Sequence, residues 1–326
     1  MNCSSVFSSL ILPSFPHRRL YGVELVNLLY GLFTLLLIVL FINHINTPWP
    51  LALERIGVMG GICFFYGLNQ LFPNKATRLL RYIYPVTLLA YWYPDTYNFC
   101  QLFPNLDHAF AYADEWMFGY QPAIHFARVC SGVWWSEAFN LGYFSYYIMI
   151  AMAVLLPLFT KAERFPRTAF VMMTCFIFYY IIYLFLPVVG PQFYFPAIGF
   201  NLADAGHFPQ LGDYFRYHAE LPANYGPEGP FRFLVEAMQG NGERPTAAFP
   251  SSHVGMSTVI MLLLWPLNRR VTYVLLPFYV LLCGATVYIE AHYFVDIIGG
   301  LVSAILFYFV AERLWLLPYF KIEREG

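Results

Sequence analysis

Apolar residues in this chain gather into long uninterrupted blocks separated by short polar clusters, and they do not alternate as a half-buried strand would. A membrane-crossing helix needs about 20 mostly apolar residues. Blocks of that kind are predicted near residues 23–43, 56–72, 79–93, 138–159, 167–189, 249–267, 271–290 and 295–317, the second and third being the shortest. Two long insertions, about 94–137 and 190–248, separate them. The pattern therefore predicts an all-α fold, a polytopic transmembrane helical bundle of about eight spans with two long loops on one face.

Composition supports this reading. Of the 326 residues 59% are hydrophobic and 20% aromatic, while only 11% are charged, against roughly 25% charged in soluble domains. The mean hydropathy is +0.55. A net charge of -1, with no long run of Lys or Arg, leaves nothing that resembles a nucleic-acid footprint. No obligatory protein partner is evident either. The six cysteines are scattered, form no CxxC pair and read as packing residues. A bridge between Cys100 and Cys130 stays open as a possibility. The apolar stretch from Val6 to Phe15 contains Pro13 and precedes Arg18 and Arg19, so it is not built like a signal peptide, and a short tail at the membrane surface is expected.

Charge also orients the bundle, because cytoplasmic loops are enriched in Lys and Arg. With eight spans, Arg55, Arg128, Arg216, Arg232 and Arg244 fall on one side, and the other thirteen of the 18 basic residues fall on the opposite side. Both termini are then expected in the cytoplasm and both long loops outside. The chain reads as one integral membrane domain, 1–326. The loop from Gly190 to Phe249 is long enough to suggest function, although its acids could simply keep it solvated. The aromatic segment from Leu106 to Trp135 suits the headgroup layer and predicts an interfacial helix outside the catalytic centre.

Ionisable residues at membrane spans are costly and mark candidate sites. In Phe249-Pro250-Ser251-Ser252-His253 a proline-serine turn leads into an apolar helix, which places His253 and free backbone N–H groups at a helix N-terminus, where anions bind. In His292-Tyr293-Phe294-Val295-Asp296 the two ionisable side chains lie four residues apart, on one helical face. Asp296 is expected to accept the imidazole N–H of His292 and make its other nitrogen the better nucleophile. Taken singly, a Ser-Ser pair is more often an N-cap, and a His–Asp pair is about as often a polar contact as a catalytic one. Their joint placement at the same end of separate spans points to one site.

These motifs resemble the type 2 phosphatidic acid phosphatase superfamily, whose second motif reads Pro-Ser-Gly-His and whose third ends His-x-x-x-Asp. The inositol phosphorylceramide synthase-like branch is similar at Phe249–His253, at Ala285-Thr286-Val287-Tyr288 continued by His292–Asp296, at Asp114–Gly119 and at Gly190-Pro191-Gln192. The likeness covers about residues 106–326, implying a six-helix phosphatase-type core there, preceded by N-terminal spans over 1–93. Two departures stand out. The superfamily's third motif begins Ser-Arg where this chain has Ala285-Thr286, and its first motif is matched only by Arg244-Pro245, with Ala237 in the lysine's place. Phosphoryl sites need cationic or N–H donors, so Arg244 becomes the main phosphate-binding candidate, ahead of Arg232 and Arg216, together with Ser251 and Ser252.

The resemblance implies a double displacement in which His292 takes the phosphoryl group, Asp296 steadies the imidazolium, and His253 protonates the leaving oxygen and then activates the acceptor. Transfer of a phospho-headgroup between lipids is expected, with lipid phosphate hydrolysis as the alternative. The scheme calls for no metal or other cofactor, although zinc on His253, His292 and Asp296 is conceivable. A transporter would carry charges near the midplane or inverted repeats. A catalytically dead lipid-binding scaffold would not need the intact histidine pair.

Overall fold

The computed structural model describes residues 19–222, 229–240 and 242–320. The stretch from Val6 to Phe15, Arg18, Glu228, Lys321 and Arg324 lie outside them. Among the described residues every regular element is helical. In chain order they are α1 (Gly22–Leu40), α2 (Pro48–Leu71), α3 (Lys75–Thr87), α4 (Leu89–Asp95), α5 (Tyr97–Cys100), α6 (Asp107–Phe118), α7 (Pro122–Val129) and α8 (Val133–Thr160). They continue with α9 (Phe165–Phe185), α10 (Pro191–Ile198), α11 (Phe200–Asp204), α12 (Pro230–Gly240), α13 (Ser252–Leu264), α14 (Arg269–Tyr288) and α15 (Phe294–Trp315).

Six helices are long and apolar enough to cross a membrane: α1, α2, α8, α9 with its preceding turn from Ala162, α14 and α15. Two of the eight predicted spans are shorter than a crossing. The block near 79–93 divides into α3 and α4, with Pro85 inside the first and Pro94 inside the second, and each proline removes a ladder N–H. The block near 249–267 forms only the 13 residues of α13, bounded by Pro250 and Pro266. The second block starts earlier than predicted, because Pro48 at the first helical position opens α2 at residue 48. Arg55 thereby lies inside that helix instead of in an outer loop, fully buried and donating to Thr34 and to the Leu51 carbonyl.

The chain divides into two compact units. One comprises the residues up to Trp92, Ala151–Ile177 and the chain from Phe307 onward. Inside it Arg81 and Glu24 form a buried pair at 2.6 Å, and Asn69 accepts a further Arg81 N–H at 3.2 Å, so neither charge is left unpaired. The other comprises Tyr93–Ile150 and Phe178–Leu306 and carries both histidines.

Close approaches shape this second unit. A Cβ on Gly300 of α15 would stand 2.6 Å from the Ser251 carbonyl oxygen at the start of α13, and one on Gly142 of α8 would stand 2.8 Å from the Leu281 backbone in α14. Only glycine permits these two crossings. They bring the His253 end of α13 against the Asp296 end of α15 and set Tyr143 beside it. Beneath the His292 turn, Ala285, Tyr288 and Ala291 pack with Phe139, Tyr143 and Val235. Within the long loop 190–248 the described residues include the three short helices α10, α11 and α12, joined by irregular chain. Cys100 and Cys130 are separate free thiols, and the Cys100 sulfur faces the Pro245 carbonyl.

Candidate active site

His253 is the second residue of α13. Ser251 caps that helix, its hydroxyl accepting the Val254 N–H at 3.4 Å. The imidazole is buried against two tyrosine rings of α8, Tyr143 and Tyr146, each centred 4.6 Å away. His292 lies in the turn between α14 and α15, anchored by its backbone N–H, which donates to the Thr286 carbonyl at 3.0 Å. The motif segments are also tied directly, since the Ser251 N–H donates to the Asp296 carbonyl at 3.0 Å.

The ring nitrogens of the two histidines meet, with His253 Nδ1 lying 3.3 Å from His292 Nε2. On the far side of its ring, His292 Nδ1 is 2.8 Å from the Ala248 carbonyl oxygen. A carbonyl can only accept, so Nδ1 of His292 carries the proton and Nε2 presents its lone pair to His253. Burial pushes the His292 imidazole down to about 4, against the Ala248 bond, which favours the proton. A neutral imidazole with a free Nε2 lone pair is the nucleophilic form at neutral pH.

The expected partner of that N–H is corrected by this geometry. Asp296 Oδ2 stands 3.4 Å from His292 Nδ1, beyond a good hydrogen bond, and it accepts the Tyr293 backbone N–H at 2.9 Å instead. The Ala248 carbonyl orients the ring. Asp296 Oδ1 is buried with no hydrogen-bond partner among the described residues. The carboxylate is thus placed to act on the charge of the ring more than on its orientation.

Two acids of α6 belong to the site, although the sequence suggested a headgroup-layer helix outside the catalytic centre. Asp114 accepts the backbone N–H groups of Phe294 and Val295, at 2.7 and 2.9 Å, satisfying first-turn donors of α15 that otherwise lack partners. Asp107 accepts from the Val189 and Gly190 N–H groups, both at 2.8 Å, from Asn105 at 2.6 Å and from the Tyr293 hydroxyl at 3.0 Å. Both acids are wholly buried, and burial pushes each up to about 6, opposed by these hydrogen bonds. Their signal in the sequence was the spacing of seven, two helical turns on one face. Among the neighbouring aromatics, Trp116 and Trp134 are 87% and 89% exposed.

The phosphate-binding candidates separate. Ser251 and Ser252 are buried at the head of α13 beside His253. Arg244 is exposed and, with Arg216, acts electrostatically on Tyr97. Arg232 is buried on α12, where it pairs with Glu236 at 2.6 Å. A further group escaped notice in the sequence. Glu243 Oε1 accepts from the Tyr93 hydroxyl at 3.2 Å and from Gln192 at 3.4 Å, and Gln239 donates to Gln192 at 3.3 Å. Burial pushes this carboxyl up to about 7.

A family model described as the PAP2 superfamily matches residues 108–310. Among curated proteins, the inositol phosphorylceramide synthase catalytic subunit aur1 of Schizosaccharomyces pombe is 36% identical over 69 residues. That match covers 21% of this chain and only 16% of the length of the yeast protein. No solved structure matches the chain.

Proposed function

The chain belongs to the PAP2 superfamily, and from that premise we propose that this integral membrane protein is a lipid phosphotransferase that moves a phospho-headgroup between lipids through a phosphohistidine on His292. The reading is carried by the His292 Nε2 lone pair, held by the Ala248 carbonyl and aimed at His253.

In the first step Nε2 of His292 attacks phosphorus and the bond from phosphorus to the leaving oxygen breaks. His253, as the imidazolium that forms when the anionic phosphate binds, gives that oxygen its proton. Asp296 lies against the cation that develops on His292. In the second step His253 takes the proton of an acceptor hydroxyl, whose oxygen attacks phosphorus, and the N–P bond breaks. A lipid hydroxyl as acceptor gives transfer, and water gives hydrolysis. A near-attack contact to phosphorus of about 3–3.5 Å occupies the place where His253 Nδ1 now stands, so the two rings move apart when substrate enters. Ser251, Ser252 and Arg244 supply the candidate phosphate contacts, and the site opens to the extracytoplasmic face with both termini in the cytoplasm.

Purified protein incubated with a headgroup-labelled phospholipid is expected to form an acid-labile, base-stable phosphoryl adduct that maps to His292. Turnover without such an adduct in quenched samples, and unaffected by His292→Ala, overturns the proposal.

A further inference from the structure

Outside the histidine pair, an apolar groove of about 240 Å³ runs between α13 and α14. Thr258, Met261 and Leu262 form one wall, and Tyr273, Leu276 and Tyr279 the other. The polar atoms midway along it are paired with one another: the Thr258 hydroxyl donates to the Val254 carbonyl and meets the Tyr279 hydroxyl, both at 2.8 Å. None of these six wall residues carries a charge that would hold a headgroup. Leu262, Leu276 and Tyr273 are exposed, so the groove opens sideways, on a helix apolar enough to cross the membrane.

The Thr258–Tyr279 contact also fixes the register of the two antiparallel helices. His253 lies five residues beyond Thr258, about 7.5 Å along the axis, level with about residue 284 and one turn short of the end of α14 at Tyr288. In the other direction Trp265 lies seven residues from Thr258, about 10 Å away. There the Trp265 and Tyr273 rings meet at 5.3 Å, with the Arg269 guanidinium 5.4 Å from the Trp265 ring. The groove thus begins about 7.5 Å below His253 and is floored about 18 Å below it. One leaflet contributes about 15 Å of hydrocarbon. A lipid with its phosphate at His253 and His292 directs its chains the same way, and the far half of one chain arrives at this depth.

We propose that this groove binds the distal part of one acyl chain of the lipid whose phosphate is at the histidine pair, and that the Trp265–Tyr273 floor sets a chain-length preference. The inference rests on the lipid-phosphate reading of that site. It differs from ordinary solvation by bilayer lipid in predicting that the groove acts on turnover.

The protein, reconstituted in nanodiscs with a lipid acceptor, is supplied with dioctanoyl and dipalmitoyl forms of a headgroup-labelled phospholipid, and kcat/KM is measured for each. Leu276→Trp, which fills the groove, is expected to lower the long-to-short ratio by about tenfold, the scale on which apolar pockets discriminate chain atoms. Leu276→Ala, which enlarges it, is expected to raise the ratio. Identical ratios in all three proteins overturn the proposal. A second arm needs no turnover and also serves if Leu276→Trp is inactive. The same phospholipid carrying a photoreactive group at the chain end is expected to label Met261 and Tyr273 in the unaltered protein and not in Leu276→Trp, whereas even labelling of all lipid-facing helices overturns it. Should the unaltered protein turn over no lipid phosphate, the functional reading fails, and the labelling alone decides the groove.

Discussion

Asp114 accepts the backbone N–H of Phe294 at 2.7 Å, so a residue of α6 caps the helix that begins two positions after His292. The same carboxylate takes the Val295 N–H, and Asp296 follows directly. Asp114 is therefore a positioning residue. In Asp114→Asn the amide oxygen can still accept, but the amide nitrogen cannot, and a buried N–H left without a partner costs about 1–3 kcal/mol. The expected outcome is a modestly lowered melting temperature and, because the start of α15 next to His292 loosens, a fall in kcat with KM little changed. A loss confined to KM would assign Asp114 to substrate binding instead.

The part of the site legible in the sequence is the part written locally. His253 after a proline-serine turn, and His292 four residues before Asp296, are visible because each lies within one helical turn of its motif partners. Asp107 and Asp114 are visible as residues but not as partners, because, Asn105 apart, what they touch is 82 to 186 positions away and aromatic neighbours such as Trp116 suggest a membrane surface. The Ala248 carbonyl could not be anticipated, because a backbone acceptor leaves no trace in residue type. Helix boundaries failed where prolines decide, at Pro48, Pro85 and Pro266. Arg55 then changed from a loop charge to a buried one, which leaves Arg128, Arg216, Arg232 and Arg244 as the basic residues the sequence reading places outside.

His292→Ala is expected to abolish turnover. His253→Ala should retain a small residue, positioned acid–base groups contributing typically 10²–10⁴-fold. Asp296→Asn should be milder than either, because the Ala248 carbonyl, at 2.8 Å, still orients the nucleophile when the carboxylate charge is gone. Initial rates of the three variants in detergent decide this, and a near-native rate for either alanine variant removes that histidine from the mechanism.

A pH dependence of stability follows from the acids of α6. Both Asp107 and Asp114 are pushed up to about 6, above the value of about 3.9 in an unfolded chain. Between those values the folded protein holds protons that the unfolded chain has released, so their contribution favours folding below pH about 4 and is lost as pH rises through 6. On acidification from pH 7.5 to 4.5, unaltered protein is expected to gain thermal stability relative to Asp114→Asn. A melting-temperature gap that stays constant across the window would show that Asp114 ionises as freely as in water.

Membrane orientation is tested by labelling single cysteines in sealed vesicles. Tyr217 is 71% exposed in the long insertion on the histidine side, and Arg270 is exposed in the first turn of α14, at the end remote from the histidines. An impermeant thiol reagent is expected to reach Tyr217→Cys from outside the cell and Arg270→Cys only from the cytoplasm. The reverse pattern inverts the proposed topology and leaves the chemistry untouched.

Transfer and hydrolysis share the phosphohistidine and part only at the second step, so the outcome depends on which hydroxyl reaches His253. Three features favour a lipid acceptor. The motif arginine is replaced by Thr286, as in the similar synthases, and its hydroxyl is turned back to the Cys283 carbonyl at 2.9 Å. The wording from His292 to Asp296 resembles the same branch. His253 is buried against the rings of Tyr143 and Tyr146 of α8, an aromatic lining that limits water around the intermediate, which a transferase must protect. The expected result is that a ceramide or diacylglycerol acceptor accelerates consumption of a labelled phospholipid and takes up the label in a new lipid. Tyr143→Ala opens the lining and should raise the proportion of label released to water. If free phosphate or phospho-headgroup is released rapidly and no acceptor speeds or diverts it, lipid phosphatase is the better description, with the same two histidines performing both steps.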